Sequence, residues 1–186
     1  MPLARLSRAL VVAAVLLALA GGCATSLPKG IEPVAGFEPD RYLGTWYEIA
    51  RLDHSFERGL EEVSATYSRD DDGTLRVVNR GWDEQAKEWN VAEGTAKFKH
   101  GPDTGWLEVS FFGPFYGTYA VFELDEDYGE AWVTGNDRSY LWYLSRTPQV
   151  SPEALERFRE RTRALGFDVD SLIVVDQDAA RVPPPE

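Results

Sequence analysis

The chain has 186 residues and a formal net charge of -12 at pH 7, and it is rich in aromatic residues, with 6 Trp, 8 Tyr and 9 Phe. The length favours a single domain, and the acidic balance argues against nucleic acid as a partner, because phosphate binding needs a basic face. The lone cysteine, Cys23, excludes an intramolecular disulfide and a multi-thiolate metal site. With only His54 and His100, a His-rich zinc site is also excluded. We therefore expect neither metal nor cofactor.

Residues 1–22 are predicted to be a signal peptide that is not part of the fold. Arg5 and Arg8 give a positive start, an apolar run follows from Leu10 to Ala20, and small residues then precede Cys23. This arrangement resembles a bacterial lipobox, although Ala20 stands where Leu is usual. The resemblance implies cleavage before Cys23 and lipidation of that residue, with enough acyl chains for stable membrane anchoring. Ordinary cleavage that leaves a free thiol is the alternative.

Three further regions follow from composition. Residues 23–39 contain Ser, Pro and Gly without periodicity and are predicted to be a lipidated tether. Residues 40–176 carry the domain, and residues 177–186, with three consecutive prolines, are predicted to be a disordered tail.

The residue after the cysteine bears on the location of the protein. Ala24 follows Cys23 at the position where an Asp would suggest inner-membrane retention, so the implied location is the outer membrane, with the chain facing the periplasm.

Eight short strand patterns separated by brief turns fill most of the domain. They lie at Tyr42–Arg51, Glu62–Ser68, Leu75–Arg80, Trp89–Lys99, Leu107–Phe111, Tyr119–Leu124, Ala131–Val133 and Tyr140–Leu144. Because no helix pattern interrupts them, parallel crossovers are disfavoured and an antiparallel up-and-down meander is predicted. Closure into a barrel would remove its exposed edges.

One helix pattern follows the strands. Ser151 suits the N-cap, Pro152 the first helical position, and Gly166 the residue just past the end. A narrow apolar stripe predicts that the helix docks on the outside of the barrel. The predicted fold class is therefore all-β: an eight-stranded antiparallel up-and-down barrel with one C-terminal helix packed outside. Residues 171–175 are a candidate for one more short strand.

Three segments resemble the three signatures of the lipocalin family in their order and spacing: Gly44–Arg51, Thr134–Asp137 with Tyr140, and Leu144–Pro148. Phe56–Gly59 and Ser110–Gly117 are similar to the bacterial outer-membrane lipoprotein lipocalins of the Blc type, relatives of apolipoprotein D. The resemblance extends from about residue 37 to residue 175, which is most of the chain after the signal peptide.

The lipocalin resemblance implies a structural role for three residues at the closed end of the barrel. Gly44 and Trp46 would form its floor, and the guanidinium of Arg146 would lie across the Trp46 ring. It also implies a lipid-anchored carrier that binds and stores or transports fatty acids or lysophospholipids in the cell envelope. The role of Arg146 would be structural, and these three residues are not expected to contact the ligand.

The expected ligand site follows from strand alternation, which places every second side chain inside a barrel. The interior is a mixture of small, β-branched and aromatic residues, which suits an acyl chain, with Tyr hydroxyls and Asn79 available to a polar head group. The candidate binding residues are Ala50, Val63, Ala65, Tyr67, Val77, Asn79, Ala96, Phe98, Val109, Phe111, Tyr119, Val121 and Trp142. Ala92 and Gly94 would add small residues to this lining. A packed core without a cavity is the alternative.

Other functions remain open at this point. Enzymatic lipocalins that isomerise their substrate use a thiol inside the barrel, whereas Cys23 precedes the fold, so no enzyme is expected; Glu48 is better explained as a hydrogen-bonded core group. Haem, or another small hydrophobic ligand, could be carried instead, with His54 or His100 as the iron ligand. A structural or assembly role, in which residues 111–116 join two barrels, leaves a homodimer open.

Overall fold

The computed structural model describes residues 26–177, so the predicted signal peptide, Cys23 and residues 178–186 lie outside the described part of the chain. The strands of the barrel are β1 Gly44–Arg51, β2 Leu60–Arg69, β3 Leu75–Asp83, β4 Glu88–Phe98, β5 Trp106–Phe112, β6 Phe115–Leu124, β7 Glu130–Thr134 and β8 Leu141–Ser145. Each strand pairs antiparallel with the next, and β1 pairs with both β2 and β8. The predicted closed, eight-stranded antiparallel barrel is confirmed.

A four-residue helix, α1 Pro39–Tyr42, precedes the barrel, whereas the sequence pattern predicts that the first strand begins at Tyr42. The prediction was wrong at this end because Leu43 and Gly44 turn the chain between helix and strand. Gly44 has φ +90, a value that favours glycine, and a Cβ there would lie 3.4 Å from Nη1 of Arg146. The turn places Tyr42 inside the barrel, where it is fully buried.

The long helix, α2 Pro152–Ala164, packs outside the barrel as predicted. Ser151 caps it, with its Oγ accepting from the backbone N–H of Ala154 at 3.2 Å. Phe158 is fully buried against the outer face of the barrel, with its ring centroid 4.9 Å from that of Tyr143. Neither this helix nor the shorter one within residues 26–177 is long and apolar enough to cross a bilayer.

A β-bulge in β1 changes which side chains face the interior. Glu48 pairs with Leu144 of β8, and the next pair is Ala50 with Tyr143, so Ile49 is an extra residue. Ile49 and Ala50 consequently pack outside the barrel, in the hydrophobic cluster beneath α2. The expected inward orientation of Ala50 is therefore wrong, because strict alternation ends at the bulge.

The segment before α1 belongs to the folded domain, although the sequence pattern places it in the tether. The backbone N–H of Val34 donates to the carbonyl of Val121 at 2.9 Å, and that of Phe37 donates to the carbonyl of Asp103 at 2.9 Å. Phe37 is buried among the aromatic rings at the closed end of the barrel. Apolar burial at Ile31 and Phe37 thus fixes a segment that has no strand or helix periodicity.

The end of the domain covers a gap between β1 and β2. A 3-10 turn at Val169–Ser171 leads to β9 Ile173–Val174, which pairs with Ala50 and Arg51 of β1. Beyond it, the Gln177 side-chain amide donates to the carbonyls of Glu48 at 2.8 Å and Val63 at 2.9 Å. Gln177, which the sequence pattern assigns to the tail, is therefore held by the barrel.

Candidate functional site

The barrel encloses a cavity of about 590 Å³ that opens between the loops opposite the floor. This volume is within the range of about 300–1,000 Å³ that is usual for small-molecule sites. The opening, called the mouth here, is bordered by the β1–β2, β5–β6 and β7–β8 loops. Nine of the predicted ligand-binding residues line the cavity: Val63, Ala65, Tyr67, Val77, Asn79, Val109, Phe111, Tyr119 and Trp142.

The other four predicted ligand-binding residues do not line the cavity. Ala96, Phe98 and Val121 point inward but belong to the packed core toward the floor, where they do not line the cavity. Ala50 lies outside the barrel wall, as the bulge in β1 requires. Of the two additional small residues, Ala92 lines the cavity, whereas a Cβ at Gly94 would lie 2.6 Å from the carbonyl oxygen of Ser110. Glycine at residue 94 therefore lets β4 and β5 approach each other closely.

Three hydrogen-bonded tyrosines lie at the base of the cavity, which Tyr67 and Tyr119 line and beneath which Tyr42 is buried. The hydroxyls of Tyr42 and Tyr119 are 2.7 Å apart, and Tyr67 donates to the Tyr119 hydroxyl at 2.9 Å. Burial raises the pKa of all three phenols, so they stay protonated across the physiological pH range. Because these hydroxyls already bond to one another, the base offers an acyl chain aromatic faces and few free polar groups.

The floor beneath the tyrosines is closed by Trp46 and Arg146. The Arg146 guanidinium carbon lies 3.9 Å from the centre of the Trp46 ring, which is fully buried. The same guanidinium donates at 2.8 Å to the carbonyls of Arg41, Leu43 and Thr45. One side chain thus joins the end of α1, the start of β1 and the end of β8.

A cluster of charged side chains is buried at the mouth. Arg51 donates from Nη1 to Oε1 of Glu48 at 2.7 Å and from Nη2 to the carbonyls of Glu57 and Leu60 at 2.9 and 3.0 Å. Glu57 accepts a hydrogen bond from the Trp142 indole at 3.1 Å. Burial raises the pKa of both Glu48 and Glu57 above that of an exposed carboxyl, and the positive charge of Arg51 opposes this rise. Both line the cavity.

His54, in the β1–β2 loop, is buried beside this charged cluster. Its ring stacks on Phe56 at 4.1 Å between centroids and lies 5.0 Å from the Trp142 ring, while Nε2 is 3.1 Å from Oε2 of Glu57. Burial, reinforced by the positive charge of Arg51, lowers the pKa of His54 to about 4. The folded protein therefore holds this imidazole neutral.

The lowered pKa of His54 predicts a loss of stability in acid. Below an ordinary histidine pKa of about 6.5 the unfolded chain binds a proton that the folded chain rejects, so the free energy of unfolding falls as the pH falls from about 6.5 to about 4. His54→Phe keeps a ring against Phe56 and Trp142 but cannot titrate. As the pH falls from about 7.5 to about 5, we expect the free energy of unfolding of the variant to rise by about 1–2 kcal/mol relative to that of wild type.

Urea unfolding of both proteins at several pH values measures this difference. A difference that does not change with pH would contradict a neutral, buried His54.

Several cavity residues are not among the predicted ligand-binding residues, and many of them lie in loops or near strand ends. They are Glu48, Phe56, Glu57, Leu60, Arg80, Gly81, Asn90, Phe112, Phe115, Gly117, Thr118, Gly135, Asn136, Tyr140 and Leu144. Tyr140 and Leu144 share the period-2 face of Trp142 and could have been included on that ground. Nothing in the sequence indicates that residues 56–60 fold over the mouth.

The two histidines do not form a metal or haem site together. His54 lies at the mouth, whereas His100 follows β4 at the opposite end and packs against Trp106 at 4.8 Å between ring centroids. Within residues 26–177, no group of three or more His, Cys, Asp or Glu side chains has the arrangement of a metal site. Neither His54 nor His100 is among the residues that line the cavity.

The chain is similar to known proteins in both sequence and fold. Residues 37–177 match the lipocalin-like domain family. The outer membrane lipoprotein Blc of Vibrio cholerae is 52% identical over 160 residues, which cover 86% of this chain and 93% of the relative. The protein of the same name from Escherichia coli is 50% identical over 169 residues, covering 90% and 96%. Insecticyanin from the tobacco hornworm Manduca sexta has a similar structure, with a TM-score of 0.66 at 18% identity, covering 83% and 88%.

Proposed function

The chain belongs to the lipocalin family, and from this we propose that it is a lipid-anchored carrier of fatty acids or lysophospholipids in the bacterial cell envelope. The family match covers the entire barrel, and binding of small hydrophobic ligands agrees with the cavity described above. The observation that carries the proposal is the cavity itself: it is enclosed by apolar strand residues, narrows to an aromatic base and opens on one side only.

The lower wall of the cavity has the chemistry of an acyl-chain site. Branched aliphatic surface comes from Val63, Val77, Val109 and Leu144, and the short side chain of Ala65 leaves space inside the cavity. Removing a methylene group from water contributes about 0.8 kcal/mol, so a long single chain placed here would supply most of the binding free energy. A second chain would have to share the same 590 Å³, which favours lipids with one chain.

The upper wall carries polar groups that a lipid head group would meet. The carboxyl of Glu57 lies there, and between it and the base lies Asn79, whose buried Oδ1 has no hydrogen-bond partner within the described residues. Buried polar groups without partners are unfavourable, so a ligand that donates to Asn79 would be preferred. A lysophospholipid head, whose free hydroxyl can donate a hydrogen bond, matches Asn79 better than a free carboxylate, which can only accept one.

The proposed location follows from the names of the relatives and from the sequence before the barrel. The two relatives described above, each about 50% identical to this chain, are named outer membrane lipoproteins. In this chain the lipobox-like segment ends at Cys23, outside the described residues. We assign the anchor to Cys23 and the barrel to the periplasmic side of the outer membrane.

Binding rather than catalysis is the proposed activity of the cavity. The carboxyls of Glu48 and Glu57 are engaged by Arg51 and Trp142, and the three phenols at the base bond to one another. None of these groups is paired with a nucleophile inside the described barrel, and the family resemblance implies carriage.

Titration of the delipidated protein with lysophospholipid tests the proposal. Trp142 lines the cavity, so an entering chain should change its emission, and we expect saturable binding at about micromolar Kd or tighter. Palmitate should compete for the same site. Failure of both lipids to bind at concentrations below their micelle limits would contradict the proposed ligand class.

A further inference from the structure

Four large aromatic side chains at the mouth are exposed to solvent, and we call them the rim. Phe112 and Phe115, on either side of the β5–β6 turn, are 82% and 78% exposed, Phe56 in the β1–β2 loop is 56% exposed, and Tyr116 is 44% exposed. Phe56, Phe112 and Phe115 also border the opening of the cavity. Exposed aromatic clusters of this kind mark interaction surfaces in soluble domains.

The chain reaches the same end of the barrel as it enters the fold. The backbone carbonyl of Lys29 accepts a hydrogen bond from Nη2 of Arg138 at 2.6 Å. Arg138 lies in the β7–β8 loop, whose residues Gly135, Asn136 and Tyr140 form another side of the mouth. The segment then runs along the barrel to Phe37 at the floor, so the described chain enters the fold at the mouth end.

The length of the preceding chain limits how far the anchor can lie from the rim. Cys23 is six residues before Lys29, and six extended residues span at most about 20 Å. An acyl anchor at Cys23 would therefore hold the mouth, rather than the floor, within reach of the bilayer surface.

We propose that the rim inserts into the bilayer interface and that the cavity thereby opens directly toward the membrane. The inference rests on the proposed anchor at Cys23 and adds an orientation and a docking surface to it. Phenylalanine side chains favour the acyl boundary of a bilayer, and tyrosine favours the headgroup level. A lipid with one chain could then pass between membrane and cavity without exposing that chain to water.

The charge of the protein indicates that apolar contact, and not attraction to anionic lipids, drives this docking. The net charge is -12, which would repel an anionic surface. Of the rim residues, Tyr116 has a basic neighbour, Lys97, whose Nζ lies 3.9 Å from the ring centre. Docking should therefore proceed on zwitterionic lipid and should not weaken as salt is raised.

Tryptophan quenching by brominated lipids tests the orientation directly. The full mature chain, isolated from its host, is placed in phosphatidylcholine vesicles brominated near the top of the acyl chains. Phe115→Trp adds a reporter at the rim, and Asp71→Trp adds a matched reporter in the β2–β3 turn at the closed end. We expect the emission added at residue 115 to shift to the blue and to be largely lost, and the emission added at residue 71 to be unchanged.

A second variant measures the contribution of the rim without relying on the anchor. Mass spectrometry of the isolated chain shows whether Cys23 carries lipid. Unlipidated chain mixed with the same vesicles should bind weakly, and Phe112→Ser with Phe115→Ser should lower that partitioning by at least about tenfold. Absence of lipid on Cys23 would contradict the proposed anchor while this measurement still tests the rim.

Two results would overturn the inference. One is emission at residue 115 that stays unquenched when the chain is bound to vesicles. The other is a blue shift at residue 115 that grows with protein concentration in the absence of vesicles, which would assign the rim to a second copy of the chain.

Discussion

Ala92→Trp is expected to lower the affinity for lysophospholipid by at least about tenfold, the largest effect on binding that we predict for a single substitution. Ala92 pairs with Asn79 across β3 and β4 and lines the cavity near the level where the polar wall begins. An indole at this position would occupy the volume that an acyl chain needs. Because the cavity is already present, the added ring fills space and should leave the barrel folded.

Val91→Trp is the matched control. Val91 is the neighbouring residue on β4, its side chain points to the outer face, and it is 49% exposed. Affinity should therefore stay within about twofold of wild type. Titration of both variants under one set of conditions gives the comparison. Equal affinities for the two variants would show that the lipid binds outside the barrel.

Arg146→Ala is expected to lower the free energy of unfolding by about 2–4 kcal/mol, because one substitution removes the Trp46 contact and the charge-assisted hydrogen bonds to three carbonyls. The loss would act at the floor, far from the mouth, and would open a path for water to the fully buried Trp46 ring. Denaturant unfolding measures the change.

Two other arginine variants separate the causes. Arg146→Lys keeps the charge but cannot reproduce the planar set of donors, so it should recover only part of the lost stability. Arg76→Ala removes an exposed ion pair with Glu93 on the outer face of the sheet and should leave stability close to wild type. If Arg146→Ala were as stable as Arg76→Ala, the floor contacts would have no structural role.

The architecture could be predicted because its signals are local. Alternation of apolar and polar residues, turn residues between the strands, and the Ser151, Pro152 and Gly166 signals of α2 each act over a few positions. Alternation also placed Val63, Ala65 and Tyr67 on one face of β2, and these three line the cavity. Closure of the barrel then follows from the pairing of β1 with β8.

The errors arise where contacts distant in sequence decide the outcome. The extra residue Ile49 is visible only through the register of β1 against β8, so Ala50 was assigned to the wrong face. Ala96 and Val121 do face inward, but how far the core fills the barrel depends on rings from several strands. The charged cluster at the mouth exists because the β1–β2 loop folds back over Arg51, and no sequence period predicts that contact.

The most direct measurement for the central claim is native mass spectrometry of the full mature chain, isolated from a bacterial host without added lipid. We predict a complex that carries one additional mass and releases a lysophospholipid or a fatty acid on activation. Isolation of Ala92→Trp in the same way should give the protein without that mass. A wild-type chain that is bare on isolation, and remains bare after incubation with lysophospholipid, would contradict the proposed carrier function.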